Sequence, residues 1–182
     1  MSFREIKMPK SPARAIALIG VMAATIEVGK LALSFLPNIE VVTLLCALYG
    51  YVFGFYGVVA AAIFVCIEPL IYGVGSWVAT YMIYWPLVAF VFMLLASAKV
   101  KRRLPITLIA LGLTLFFGVL SAVVDSMVLG IGLHYFKNVF VYYLRGIPFY
   151  INQLLCNGAV FPTLFPFLVK KLKLINKHVF LS

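Results

Sequence analysis

The stretch KVKRRLPITLIALGLTLFFGVLSAVVDSMVLGIGL, residues 99–133, sets four cations beside a long apolar run. A helix needs about 20 apolar residues to cross roughly 30 Å of hydrocarbon, so this run reads as a membrane span. The basic cluster before it reads as its cytoplasmic flank. Working outward with the same criterion, apolar runs between charges, Gly/Pro turns and aromatic belts give six helices, at roughly 11–36, 39–53, 58–72, 77–97, 105–133 and 147–169. The first is stopped by Pro37-Asn38, a pair that favours a turn. The second is short for a span, and the second and third can be read as one broken hairpin. Pro162 and Pro166 should kink the last helix or end it early.

Composition agrees with this patterning. Of 182 residues, 65% are hydrophobic and 11% charged, too apolar a balance for a water-soluble globule. The expected fold class is an all-α integral membrane bundle of six helices in a single domain. The net charge of +10 lies in short clusters flanking apolar runs, which is topology information and not a phosphate-binding groove, so no nucleic-acid partner is expected. With the amino terminus inside, twelve of the fifteen Lys and Arg residues lie on the cytoplasmic side, only Lys137 and Arg145 outside, and Lys30 within a helix. Both ends are therefore expected in the cytoplasm. The first apolar run is too long for a signal-peptide core and is read as the first span. Cys46, Cys66 and Cys156 fall inside apolar segments and are expected to pack as small hydrophobes.

Ionisable residues at membrane depth are costly and mark functional positions by default. Glu27 and Lys30 on the first helix, Glu40 on the second, Glu68 on the third, Asp125 on the fifth, and Asn152, Gln153 and Asn157 on the sixth all lie in the outer half. A cup opening outward would concentrate polar groups in this way. Each has a plainer reading. Glu27 and Lys30 are three apart and could neutralise each other. Asn38 and Glu40 could serve as cap and dipole residues of the second helix. Asp125 lies one turn from Ser121, and Glu68 precedes Pro69. The three amides could bond between helices as well as to a ligand. Tyr72 and Tyr150 belong to aromatic belts at the outer ends, whereas Trp77, Tyr81 and Trp85 share one helical face that could meet a flat ring. Ala13, Ala17, Gly20 and Ala24 form a stripe of small side chains that admits close approach of another helix, in this bundle or in a partner. Nucleotide-binding, zinc-protease and serine-hydrolase motifs are absent, and His134 and His178 lie far apart in the chain, so neither an enzyme nor a metal site is expected.

Taken together, the length, the six-helix plan, the basic tail, the stripe and the segments Leu36-Pro37-Asn38-Ile39-Glu40-Val41-Val42-Thr43-Leu44-Leu45 and Leu70-Ile71-Tyr72-Gly73-Val74-Gly75-Ser76-Trp77 give the chain a likeness. It resembles the substrate-binding S components of energy-coupling factor (ECF) transporters, the ABC-type vitamin importers of prokaryotic cell membranes. The resemblance implies a subunit that binds a scarce vitamin outside, docks on a transmembrane coupling subunit with two ATPase subunits, and topples to deliver it. ATP is then used by the partners only. It assigns Ala13 and Ala17 to the family's Ala-x-x-x-Ala contact with the coupling subunit, with Gly20 and Ala24 continuing the stripe. Asn38, Glu40, Glu68, Tyr72, Trp77, Tyr81, Trp85, Asp125, Tyr150, Asn152 and Gln153 become candidate vitamin-binding residues. Cobalamin is the first candidate ligand, ahead of riboflavin, pantothenate, folate or a queuosine precursor. The rival readings are a non-transporting assembly protein and a self-sufficient channel or carrier.

Overall fold

The computed structural model describes residues 11–35, 41–128 and 134–179, with the side chains of 176–179 excepted. Six helices form among the described residues: α1 (Pro12–Ala32), α2 (Val42–Phe53), α3 (Phe55–Tyr72), α4 (Ser76–Ser97), α5 (Arg103–Val128) and α6 (Tyr135–Val179). No strand forms among those residues. Of the six, α1, α3, α4 and α5 are long and apolar enough to cross a membrane. Their outward faces carry large apolar side chains, among them Val21, Val28, Leu70, Phe90 and Leu108, a surface suited to lipid.

Helix starts and stops follow local chemistry. Ser11 caps α1, its hydroxyl accepting from the Arg14 N–H at 3.3 Å, and Pro12 occupies the first turn, where its missing N–H costs nothing. Helices α2 and α3 are separated by one residue, Gly54, at φ 59°. That positive φ suits glycine and lets the chain reverse abruptly, which is the broken hairpin anticipated from sequence. Helix α4 ends in a Schellman arrangement. The Val100 N–H bonds the Leu95 carbonyl and the Lys99 N–H the Ala96 carbonyl, both at 3.0 Å. Lys99 takes the left-handed position, φ 57°, that glycine usually fills.

At 12 residues α2 is roughly 18 Å long, less than the thickness of the hydrocarbon layer, and it forms the centre of the bundle. It packs on α3, α4 and α6, and almost every one of its residues is buried. Two glycines allow this. A side chain at Gly50 would strike the Ala89 backbone of α4, and one at Gly57 would strike the Tyr49 backbone. Below this crossing, Phe92, Phe161, Phe165 and Tyr51 join α4, α6 and α2 through rings 5.4–5.5 Å apart.

The last helix departs most from expectation. It begins at Tyr135, not near 147, and continues through Pro148, Pro162 and Pro166 for 45 residues, roughly 68 Å. The prolines do not end it, and one freed carbonyl finds another donor. Pro166 cannot bond the Pro162 carbonyl, and the Arg103 guanidinium donates to that oxygen at 3.4 Å. Cys66 also corrects an expectation. Cys46 is buried and Cys156 half-buried, but Cys66 lies on the exposed face of α3.

Candidate functional site

The polar residues gather at the end of the bundle remote from the Lys99–Arg103 turn. There α1 packs along α3, and the Lys30 ammonium reaches across to Glu68 Oε2 in an ion pair. Glu68 is fully buried, while Lys30 keeps a quarter of its side chain exposed. Pairing within α1, between Glu27 and Lys30, is therefore replaced by pairing between helices. The physical reason is desolvation: the wholly buried carboxylate has more to lose by standing alone, and the long lysine stem can reach it. The ammonium also lies 4.1 Å from the centre of the Tyr72 ring and 5.7 Å from that of Tyr81, a cation between two aromatic faces.

One carboxylate is left over. Glu27 is 8% exposed; among the described residues its carboxyl meets that of Glu68 and finds no hydroxyl or N–H donor. Its charged neighbours are Glu68 and Lys30. Glu68 Oε1 is likewise buried without such a donor. Two carboxyl groups and one ammonium thus share this corner among the described residues.

Beside them, Trp77, Tyr81 and Trp85 do form one face of α4, as their spacing predicts. Their rings meet edge to face at 5.2 and 5.5 Å. Phe117 of α5 packs against Tyr81, Tyr84 and Trp85. The inner end of this ladder is packed core, since Trp85 is 2% exposed, although its indole N–H has no acceptor among the described residues. The outer members Trp77 and Tyr81 are half-buried.

Asp125 occupies a separate polar station. Ser76, the first residue of α4, donates to Asp125 Oδ1 at 2.5 Å, and Ser121 donates to Oδ2 at 3.4 Å. This ties the start of α4 to the far end of α5 without a cation. Tyr150 and Asn157 belong to the α5–α6 seam. The Tyr150 hydroxyl donates to the Gly118 carbonyl at 3.4 Å, and Asn157 Nδ2 donates to Thr114 Oγ1 at 2.9 Å. Gln153 is buried in α6, whereas its neighbour Asn152 points to the exposed face. Asn38 and Glu40 lie outside the described residues. The structure therefore brings Glu68, Tyr72, Trp77, Tyr81 and Trp85 together, ties Asp125 to Ser76 beside Trp77 with Tyr150 near Asp125, and turns Asn152 to the exposed face while Gln153 is buried.

Sequence reasoning missed Lys30 as the partner of Glu68, Ser76 as the partner of Asp125, and Phe117 as the floor of the ladder. Depth offered a signal for the first: Lys30 and Glu68 both stand close to the same end of helices that run in the same direction. A pocket of about 220 Å³ between α5 and the start of α6 is lined by Val119, Ala122, Phe136, Val139, Phe140 and Tyr143, none of them a predicted site residue. It is smaller than the roughly 300–1,000 Å³ of typical ligand sites.

The stripe on α1 is open. Ala13, Ala17, Gly20 and Ala24 are all exposed, and a side chain added at Gly20 would meet nothing within 4 Å. Packing inside this bundle does not account for them. No family model, no curated protein and no solved structure matches this chain.

Proposed function

We propose that this chain is the ligand-capturing subunit of an ECF-type importer in a prokaryotic cell membrane. It crosses the bilayer six times with both ends in the cytoplasm, α2 and α3 forming a bent pair and the excess length of α6 emerging at its ends. A vitamin binds at the outer end of the bundle. A coupling subunit docks on the α1 stripe, and two ATPase subunits drive release inward. Cobalamin is the first ligand to test, because its amide arms and ring suit a site of carboxylates and aromatic faces.

The observation that carries this reading is the Glu27–Lys30–Glu68 cluster, its carboxyls buried and its ammonium against the Tyr72 and Tyr81 rings with Trp77 beside Tyr81, in which carboxyl oxygens find no N–H or hydroxyl donor among the described residues. Packing alone gives no return for leaving such atoms unpartnered, and a ligand would supply what they lack. The open stripe supports a docking face separate from the ligand face.

Native mass spectrometry of the purified chain with a vitamin panel tests the proposal. A mass increment for one vitamin, displaced by competing ligand, is the expected result. A folded sample that takes up none of them refutes ligand capture and returns the chain to the assembly-protein reading.

A further inference from the structure

We infer that the end of the bundle opposite the Glu27–Lys30–Glu68 cluster binds the phosphate headgroup of an anionic phospholipid, seated between the α4–α5 turn and the last turns of α6. In that turn and at the start of α5, Lys99, Lys101, Arg102 and Arg103 are all exposed. From far along the chain, α6 brings Lys170 and Lys171, also exposed, and the half-buried Lys173. The fold sets the two groups side by side. The Tyr51 hydroxyl of α2 donates to the Val100 carbonyl at 2.8 Å, and the Lys173 ammonium lies 5.6 Å from the centre of the same ring. The Arg103 guanidinium reaches α6 directly, at the Pro162 carbonyl.

No carboxylate among the described residues answers this charge. The described carboxyls are those of Glu27, Glu68 and Asp125. The first two belong to the cluster at the other end, and Asp125 lies 22 residues beyond Arg103 on α5, roughly 33 Å away. The first turn of α5 holds no acidic residue, so the positive end of that helix adds to the attraction for an anion. Like charges brought together from two segments repel, and a bound phosphate relieves that repulsion.

Apolar side chains beside the cations favour a lipid over a soluble phosphate. Leu104 follows Arg103 and is 70% exposed, and Phe167 of α6 is 54% exposed with the Lys171 ammonium 5.6 Å from its ring centre. Such cations keep their stems against hydrocarbon and their heads at headgroup level. A phospholipid meets both surfaces, its phosphate on the cations and its acyl chains over Leu104 and Phe167. A soluble anion would meet only the first. Each basic residue at a membrane face adds to the attraction for anionic lipid.

The test titrates the full chain in detergent with phosphatidylglycerol or phosphatidylcholine of identical acyl chains. Retained lipid is read by native mass spectrometry and stabilisation by the thermal midpoint. Phosphatidylglycerol is expected to be retained more strongly and to raise the midpoint further. Lys99→Gln/Arg102→Gln and Lys170→Gln/Lys171→Gln should each weaken its retention about tenfold. Neither pair should lower the midpoint of the lipid-free chain, since all four side chains are exposed. Lys137→Gln/Arg145→Gln, exposed near the start of α6, should leave retention unchanged. Equal retention of the two lipids overturns headgroup recognition. A loss confined to one of the two pairs overturns the shared site, and an equal loss in Lys137→Gln/Arg145→Gln overturns its placement. Displacement of the lipid by soluble glycerol phosphate overturns the lipid as the source of the phosphate.

Discussion

Replacing Lys30 with methionine keeps most of the side-chain volume and removes the only cation bonded to Glu68 among the described residues. Breaking a buried ion pair by removing one partner costs about 3–5 kcal/mol, because the remaining charge is stranded. Glu68 is 0% exposed and fits that case, whereas Lys30 is 25% exposed, so solvent screens part of the attraction. The lower end, about 3 kcal/mol, is expected for Lys30→Met. For a chain of this size that corresponds to a midpoint lowered by about 6–12 °C. Lys30→Met/Glu68→Gln removes both charges and should recover at least half of the loss, since replacing both partners avoids the stranded group. Both tryptophans lie on α4 beside the cluster, so their intrinsic fluorescence during a thermal ramp in detergent reports unfolding directly. The four proteins form a double-mutant cycle, and a coupling of about 0.5–3 kcal/mol is the signature of contact. Single losses that simply add in the double variant would show that Lys30 and Glu68 do not pair, and the account of this corner would fall with them.

Other outcomes follow from the same packing. Gly50→Ala should destabilise by about 1–3 kcal/mol, because the new methyl meets the Ala89 backbone, whereas Gly20→Ala should be neutral or slightly stabilising on the same thermal ramp. Lys99→Gly should raise the midpoint by a few degrees, since φ 57° costs a side-chain-bearing residue roughly 1 kcal/mol that glycine avoids. Single cysteines replacing Lys101 and Lys171, in a chain freed of its native cysteines, should react with an impermeant maleimide only after the membrane is opened, and one replacing His134 should react in intact cells. Labelling in the reverse order would refute the cytoplasmic assignment of both ends.

Much of the helical plan was legible because membrane-length apolar runs and their polar punctuation can be read locally. The start of α6 was not. Residues 135–146 carry Lys137, Arg145 and Gly146, which fail a test for apolarity, but helix formation requires only backbone bonding and tolerable propensity. That α6 runs on past its prolines has a related reason. A proline removes one donor, and whether the helix survives depends on what else can reach the freed carbonyl. Arg103 does so at Pro162, from a residue 59 positions away in the chain. No local reading of the last helix contains that contact.

The site divides along the same line. Which residues are polar at a given depth is written in the chain, and so is the one-face spacing of Trp77, Tyr81 and Trp85. Which helix each polar group meets is a property of the packing. Asn152 and Gln153 illustrate it: adjacent residues on a helix are about 100° apart, so burying one turns the other outward. The structure buries Gln153. Lys30 had two carboxylates within reach of a sequence argument, Glu27 on its own helix and Glu68 on a neighbour. It pairs with the one that water cannot reach, and Glu27 is left beside Glu68 without a donor of its own among the described residues. The small residues of α1 make the complementary case. Ala13, Ala17, Gly20 and Ala24 would be equally suited to a neighbour inside the bundle, yet they are exposed. The Glu27 carboxyl and the uncovered stripe occupy the same helix, the first on its buried side and the second on its exposed side. In lipid, where apolar surface alone drives no association, close packing on such a stripe remains a means of docking.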